Sequence, residues 1–238
     1  ILILNNSSPQ IVDCIIKGNY ASQGGAVYTR EASASIRKCI ITDNTGYIMP
    51  VIACTTIVQI EIINCTIYNN VGGNDYPYLG GWGTGGLTII NTIIFEENPT
   101  QASSLYGEAT IGGSISYSNI FLPNCEGCDG GFDPLFCDVD NGNFTLASNS
   151  PCVGTGQEGV DMGALSVGCS EIEIDCEGTP DGTATIDNCN ICVGGTTTLT
   201  ACLKDCNDEW GGEAVDDECG VCGGDGVDAT TSCCSNTG

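Results

Sequence analysis

The chain has 238 residues, 41% of them apolar, which is long enough to bury a sizeable core. Lys and Arg number 5 against 30 Asp and Glu, with no His, for a net charge of −25. That balance excludes nucleic acid and anionic membrane surfaces as partners, since both are held by clustered cations.

Eighteen Cys in an acidic, Asn-, Thr- and Gly-rich background point to an oxidised, secreted chain rather than a cytosolic metalloprotein. No apolar run approaches the roughly 20 residues needed to span a bilayer, and no signal peptide is recognisable. The expectation is an extracellular or cell-surface location without membrane insertion. Opening on Ile1-Leu2-Ile3-Leu4, the chain starts inside an apparent strand and reads as a processed or partial chain.

From there a repeat runs along the sequence. Cys14-Ile15-Ile16 precedes Asn19, Cys39-Ile40-Ile41 precedes Asn44, Cys65-Thr66-Ile67 precedes Asn70, and Thr92-Ile93-Ile94 precedes Asn98; the Asn steps are 25, 26 and 28 residues. A period of this size is the mark of a stacked solenoid. Between these runs lie Gly24-Gly25-Ala26-Val27-Tyr28, Ala34-Ser35-Ile36 and Val58-Gln59-Ile60-Glu61-Ile62-Ile63, the last alternating apolar and polar as a half-buried strand does. No stretch shows a helical period. The predicted fold is all-β, a right-handed parallel β-helix of three short strands per coil. Its coils should stack side chains into ladders, one of Cys14, Cys39 and Cys65 as small buried groups rather than bridges, another of the four Asn.

The longest insertion, residues 71 to 86, carries Tyr76, Tyr78 and Trp82, which could stack on a glycan or a partner protein or fold back on their own coil. A further coil is expected at Ile115–Phe121. Next, Cys125, Cys128, Cys137 and Cys152 would brace the end of the β-helix, and Asp138 and Asp140, in Asp138-Val139-Asp140-Asn141-Gly142-Asn143, alternate oxygen ligands as a calcium loop does. The run from Gly131-Phe132-Asp133-Pro134 through Ser150-Pro151-Cys152 to Val160-Asp161-Met162-Gly163-Ala164 resembles the closing coils of bacterial right-handed parallel β-helix repeat proteins of cell surfaces and secreted material. The resemblance covers roughly residues 1–169 and implies a surface-exposed scaffold.

Residues 170–238 change character, with 15 acids and one Lys for a net of −14. Cys176, Cys189, Cys192 and Cys202 recur as Cys206, Cys219, Cys222 and Cys233, so two units are expected, 170–203 and 204–238. They resemble acidic Cys/Gly repeats of large secreted bacterial proteins. Zinc would suit paired Cys-x-x-Cys motifs, but a disulfide staple suits a secreted segment with so few core residues better. Four Cys allow three pairings per unit, and the sequence does not choose. Asp205, Asp208, Asp216, Asp217 and Asp225 make calcium the one cofactor worth considering, against a merely solvated acidic surface.

Catalysis finds little support: no His, no nucleophile motif, and coil acids such as Asp13, Glu31, Asp43 and Glu61 scattered apart. The expected role is a non-catalytic structural protein, an adhesin-like or filament-forming subunit. Ile1, Leu2, Ile3 and Leu4 would form an open coil end that pairs head-to-tail with another copy. The alternatives are a carbohydrate-active or glycan-binding β-helix, or a cell-surface protein as partner.

Overall fold

The computed structural model describes residues 1–56, 59–72, 78–82, 86–96, 114–121, 131–224 and 226. The chain divides into two compact units, Ile1–Ile172 and Glu173–Gly238. Among the described residues no helix is long and apolar enough to cross a membrane.

The first unit is a β-solenoid of about 5 turns. Its first coil holds β1 (Leu2–Leu4), β2 (Gln10–Val12), β3 (Ile15–Lys17) and β4 (Tyr20–Gln23). The second holds β5 (Val27–Arg30), β6 (Ala34–Arg37), β7 (Ile40–Thr42) and β8 (Thr45–Ile48). The third holds β9 (Ile52–Thr55), β10 (Gln59–Ile63), β11 (Thr66–Tyr68) and β12 (Val71–Gly72). Then follow β13 (Leu79–Trp82), β14 (Gly86–Ile90) and β15 (Ile93–Phe95), and finally β16 (Ser114–Ser116) and β17 (Asn119–Phe121). Equivalent strands pair in parallel into sheets β1-β5-β9-β13, β16-β14-β10-β6-β2 and β17-β15-β11-β7-β3, with a short fourth sheet β12-β8-β4. The first three coils thus carry a fourth short strand beyond the three expected. Period-two alternation buries Ile36, Ile60, Ile62 and Ile89 inside while Gln59 and Glu61 face out. Each buried Ile is worth roughly 1.5–3 kcal/mol, but only because the next coil covers it.

Two columns of polar side chains hold the corners. At one, a left-handed residue stands on each coil: Asp13, Lys38, Asn64, Asn91 and Tyr117, with φ of 52, 50, 51, 51 and 50°. The next residue in each case turns its sulfur or hydroxyl onto the carbonyl two positions back: Cys14 to Val12 (3.1 Å), Cys39 to Arg37 (3.2 Å), Cys65 to Ile63 (3.4 Å), Thr92 to Ile90 (3.0 Å) and Ser118 to Ser116 (3.1 Å). The cysteine row therefore is unbridged, as expected, but it works as a row of S–H and O–H donors in which Thr and Ser substitute freely. At the other corner Asn19 donates its backbone and side-chain N–H to Asn44 Oδ1 (3.1 and 2.8 Å), and Asn44 does the same to Asn70 Oδ1 (3.0 and 2.9 Å). The fourth rung is Glu96, whose Oε1 accepts the Asn70 N–H at 3.0 Å. Asn98, expected there, lies outside the described residues.

Outside the coils a terminal lobe closes the unit. It contains β18 (Phe136–Asp138), β19 (Asn143–Ala147), a 3-10 turn at Gln157–Gly159 and β20 (Val167–Cys169). Phe144, Leu146 and Cys152 pack with Phe136 and Met162 onto Ile40, Tyr68, Ile93 and Phe95, the outward residues of β7, β11 and β15. This explains why all three residues of each of those strands are buried. Beyond the lobe's reach, Ile15 of β3 is 70% exposed.

The second unit has little regular structure: an antiparallel pair of β21 (Thr185–Ile186) and β22 (Cys192–Val193), with isolated bridges such as Ile174 to Pro180 and Lys204 to Trp210. Both expected Cys-rich repeats fall within this one unit. Disulfides replace the hydrophobic core, of which only Ala184 and Val193 are present among the described residues.

Candidate functional site

The tail pairs its cysteines in an interleaved pattern. Cys176 bonds Cys192 and Cys189 bonds Cys202, while in the second repeat Cys206 bonds Cys222 and Cys219 is also disulfide-bonded. Cys233 lies outside the described residues. Bridges of this density belong to an oxidising compartment.

Asp side chains shape the loops between the bridges. Asp205 Oδ1 accepts the N–H groups of Asn207 (2.8 Å) and Glu209 (3.0 Å), and its Oδ2 accepts that of Ala214 (3.2 Å). Asp217 repeats the arrangement with Cys219, Val221 and Gly226, Asp175 with Glu177, Thr179 and Ala184, and Asp187 with Cys189, Ile191 and Cys202. These donors stabilise the ionised form, so all four carboxyls titrate below their ordinary 3.8; the leading donor is Thr179 for Asp175, Cys202 for Asp187, Glu209 for Asp205 and Val221 for Asp217. A glycine completes the motif, since a Cβ on Gly212 would collide with Asp205 Oδ2.

Of the expected calcium ligands, then, Asp205 and Asp217 spend their oxygens on backbone N–H groups. Asp208 pairs with Lys204 Nζ at 3.3 Å. Asp216 lies beside Cys206 and Cys222, and Asp187 beside Cys189 and Cys202, but those sulfurs are bridged and offer no thiolate. Asp138 accepts the backbone and side-chain N–H of Asn141 at 3.2 and 2.8 Å, forming a turn, and Asp140 is exposed beside it. Asp225 lies outside the described residues.

The first unit corrects three expectations. Cys137 bonds Cys169, not a cysteine of the group Cys125, Cys128 and Cys152. Cys152 is a buried free thiol that accepts the Asn119 Nδ2 hydrogen at 3.2 Å, and burial pushes it up to about 11. Cys125 and Cys128 lie outside the described residues. Tyr78, read as meeting a glycan or a partner protein or as folding back on its own coil, is buried and donates its hydroxyl to Glu96 Oε1, so it takes the last of these places and is no surface contact. Trp82 sits in β13 with its backbone opposite Thr55, and Tyr76 lies outside the described residues.

At the coil edge, Ile1 and Leu2 are exposed, but Ile3 is buried in the core and Leu4 half-buried. The first coil also presents Ile15 and Tyr20, the latter 80% exposed. At the far coil Gly131 N donates to Ile120 O at 2.9 Å, and Phe132 exchanges two hydrogen bonds with the Asn119 side chain at 2.9 and 2.8 Å.

Sequence reasoning missed one feature entirely. Residues 157–166 fold back along the left-handed corner and leave an open cleft of about 440 Å³ against Lys38, Asn64 and Asn91. Asn91 Oδ1 accepts the Gln157 N–H (2.7 Å), Asn64 Nδ2 donates to Asp161 O (3.4 Å), and Thr66 Oγ1 accepts the Ala164 N–H (3.0 Å). Gly163 is required here, because at φ 92° its ideal Cβ would sit 2.8 Å from Ile93 Cδ1. The available signal was that glycine within Val160-Asp161-Met162-Gly163-Ala164, which the sequence shows without its distant partner.

No protein-family model matches this chain, no curated protein matches it, and no solved structure matches it.

Proposed function

We propose that this chain is a non-catalytic structural protein of the extracellular surface that associates with a second copy through the exposed apolar patch of its first coil. The observation that carries this reading is the contrast between the two ends of the solenoid. The first coil exposes the apolar side chains of Leu2, Ile15 and Tyr20, whereas the far coil is bonded by Gly131 and Phe132. Exposed apolar patches of this kind mark protein–protein contacts. The bonds of Gly131 and Phe132 at the far coil do not suit the head-to-tail polymer expected from sequence, so the exposed patch favours a two-fold pairing of like surfaces. The disulfide-stapled, acidic tail suits an extracellular setting, and the resemblance to bacterial β-helix repeat surface proteins points the same way.

Sedimentation velocity over a concentration series, with and without calcium, tests the proposal. The unaltered chain should shift to a dimer, and Leu2→Lys with Ile15→Lys should abolish the shift while leaving the circular dichroism unchanged. A chain that stays monomeric throughout, or a dimer indifferent to both substitutions, would refute it.

A further inference from the structure

The cleft between residues 157–166 and the left-handed corner brings together side chains that no role in folding accounts for. Lys38 and Glu158 are exposed and their side chains make no hydrogen bond or ion pair among the described residues, in a chain whose other described lysines are both ion-paired. Beside them stand Asn64, Asn91, Gln157 and Asp161, while Val160 and Leu165, 44% and 39% exposed, give the cleft an apolar wall.

The polar groups are held in place. Asn91 and Asn64 are fixed by their bonds to Gln157 N and Asp161 O, and Asp161 Oδ1 accepts the Gly154 N–H at 2.9 Å. Groups already oriented by the protein lose little freedom on meeting a ligand. The volume of about 440 Å³ lies within the range of about 300–1,000 Å³ found for small-molecule sites.

We infer that this cleft binds a neutral oligosaccharide of two or three sugar residues. Five of its polar groups are planar amides or carboxylates, which offer paired donors and acceptors of the kind that neighbouring hydroxyls on a pyranose can satisfy at once. Lys38, Asn64 and Asn91 follow register-matched residues of three successive strands, Arg37, Ile63 and Ile90. Their columns therefore repeat about every 4.8 Å and span about 10 Å along the solenoid axis. A regular row of contacts suits a polymer of regular units better than a single compact metabolite. Charge selects among glycans. Two carboxylates outweigh one ammonium in the cleft, and the chain carries −25 overall, so a polyuronate would be repelled.

Isothermal titration calorimetry with cellotriose, N,N′,N″-triacetylchitotriose and trigalacturonate tests the inference on the full chain. One of the two neutral trisaccharides should bind saturably, and Lys38→Gln or Glu158→Gln should each weaken it at least about tenfold. Both substitutions fall on exposed side chains without partners, and an unchanged thermal melt will show that the fold is intact. Absence of saturable binding by either neutral sugar up to about 10 mM would overturn the inference. So would binding that neither substitution weakens, or tighter binding of trigalacturonate.

Discussion

Asn44→Ala should unfold the solenoid more easily than its exposed counterpart Asn19→Ala by a wide margin. Asn44 is fully buried and its side chain takes part in five hydrogen bonds: it donates to Ile16 O (2.9 Å), Thr42 O (3.0 Å) and Asn70 Oδ1 (2.9 Å), and it accepts from Asn19 N (3.1 Å) and Asn19 Nδ2 (2.8 Å). At about 0.5–1.5 kcal/mol net per bond, the upper limit is several kcal/mol. Some partners keep a second bond, since Thr42 O also accepts from Gly18 N and Asn70 Oδ1 from Asn44 N. The net cost is therefore set at about 3 kcal/mol. Asn19 loses only its donations to Lys17 O and Asn44 Oδ1 from an exposed position, a cost below about 1 kcal/mol. Guanidinium unfolding with the disulfides intact, followed by far-ultraviolet circular dichroism, measures both. If the two variants fall within about 0.5 kcal/mol of one another, the Asn column does not hold the coils together and the reasoning fails.

Three further outcomes follow from the packing. Phe144→Ala should loosen the terminal lobe from Tyr68 and Phe95 at a cost of about 3–5 kcal/mol, seen as a rise in limited proteolysis between residues 131 and 169. Iodoacetamide at neutral pH should label Cys14, which is exposed, and spare Cys152, whose thiol is buried and pushed up to about 11; equal labelling by mass spectrometry would contradict the buried assignment. In the tail, the carboxyls of Asp175, Asp187, Asp205 and Asp217 titrate below 3.8 when folded, so their stabilisation is complete at neutral pH. It is lost as pH falls below 3.8 through those lowered values, and amide exchange of Glu209 and Val221 should accelerate there. Acceleration that begins well above the ordinary carboxylate range would count against the loops' dependence on these groups.

The solenoid was legible because its rungs repeat chemistry as well as spacing. Cys14, Cys39 and Cys65 and the Asn of each coil mark corners, and corners recur once per turn. Glu96 escaped notice because the rung needs only an oxygen acceptor, which a carboxylate supplies as well as an amide; Asn98 stood nearby with a more familiar side chain. The run Cys39-Ile40-Ile41 is apolar at adjacent positions, which signals a strand covered on both faces. It does not say by what, and the cover comes from Phe144 and Leu146, about a hundred residues downstream. A similar distance hid the cleft at Lys38, closed by residues 157–166, while Cys137 passed over nearer cysteines for a partner 32 residues on. In the tail, the carboxylates looked like ligands because spacing alone cannot distinguish an acid that faces solvent from one that organises its own loop.

The crossed bridges of the tail bear on how the protein is made. As the chain emerges from its amino-terminal side into an oxidising space, Cys176 meets Cys189 before Cys192 has followed, although its final partner is Cys192. Oxidation in order of emergence would join neighbours and trap the wrong loops. Reaching the native pattern requires thiol–disulfide exchange after synthesis, slow without an isomerase. An isomerase should therefore speed the correct stapling, and a reducing cytosol will leave the tail's bridges unformed.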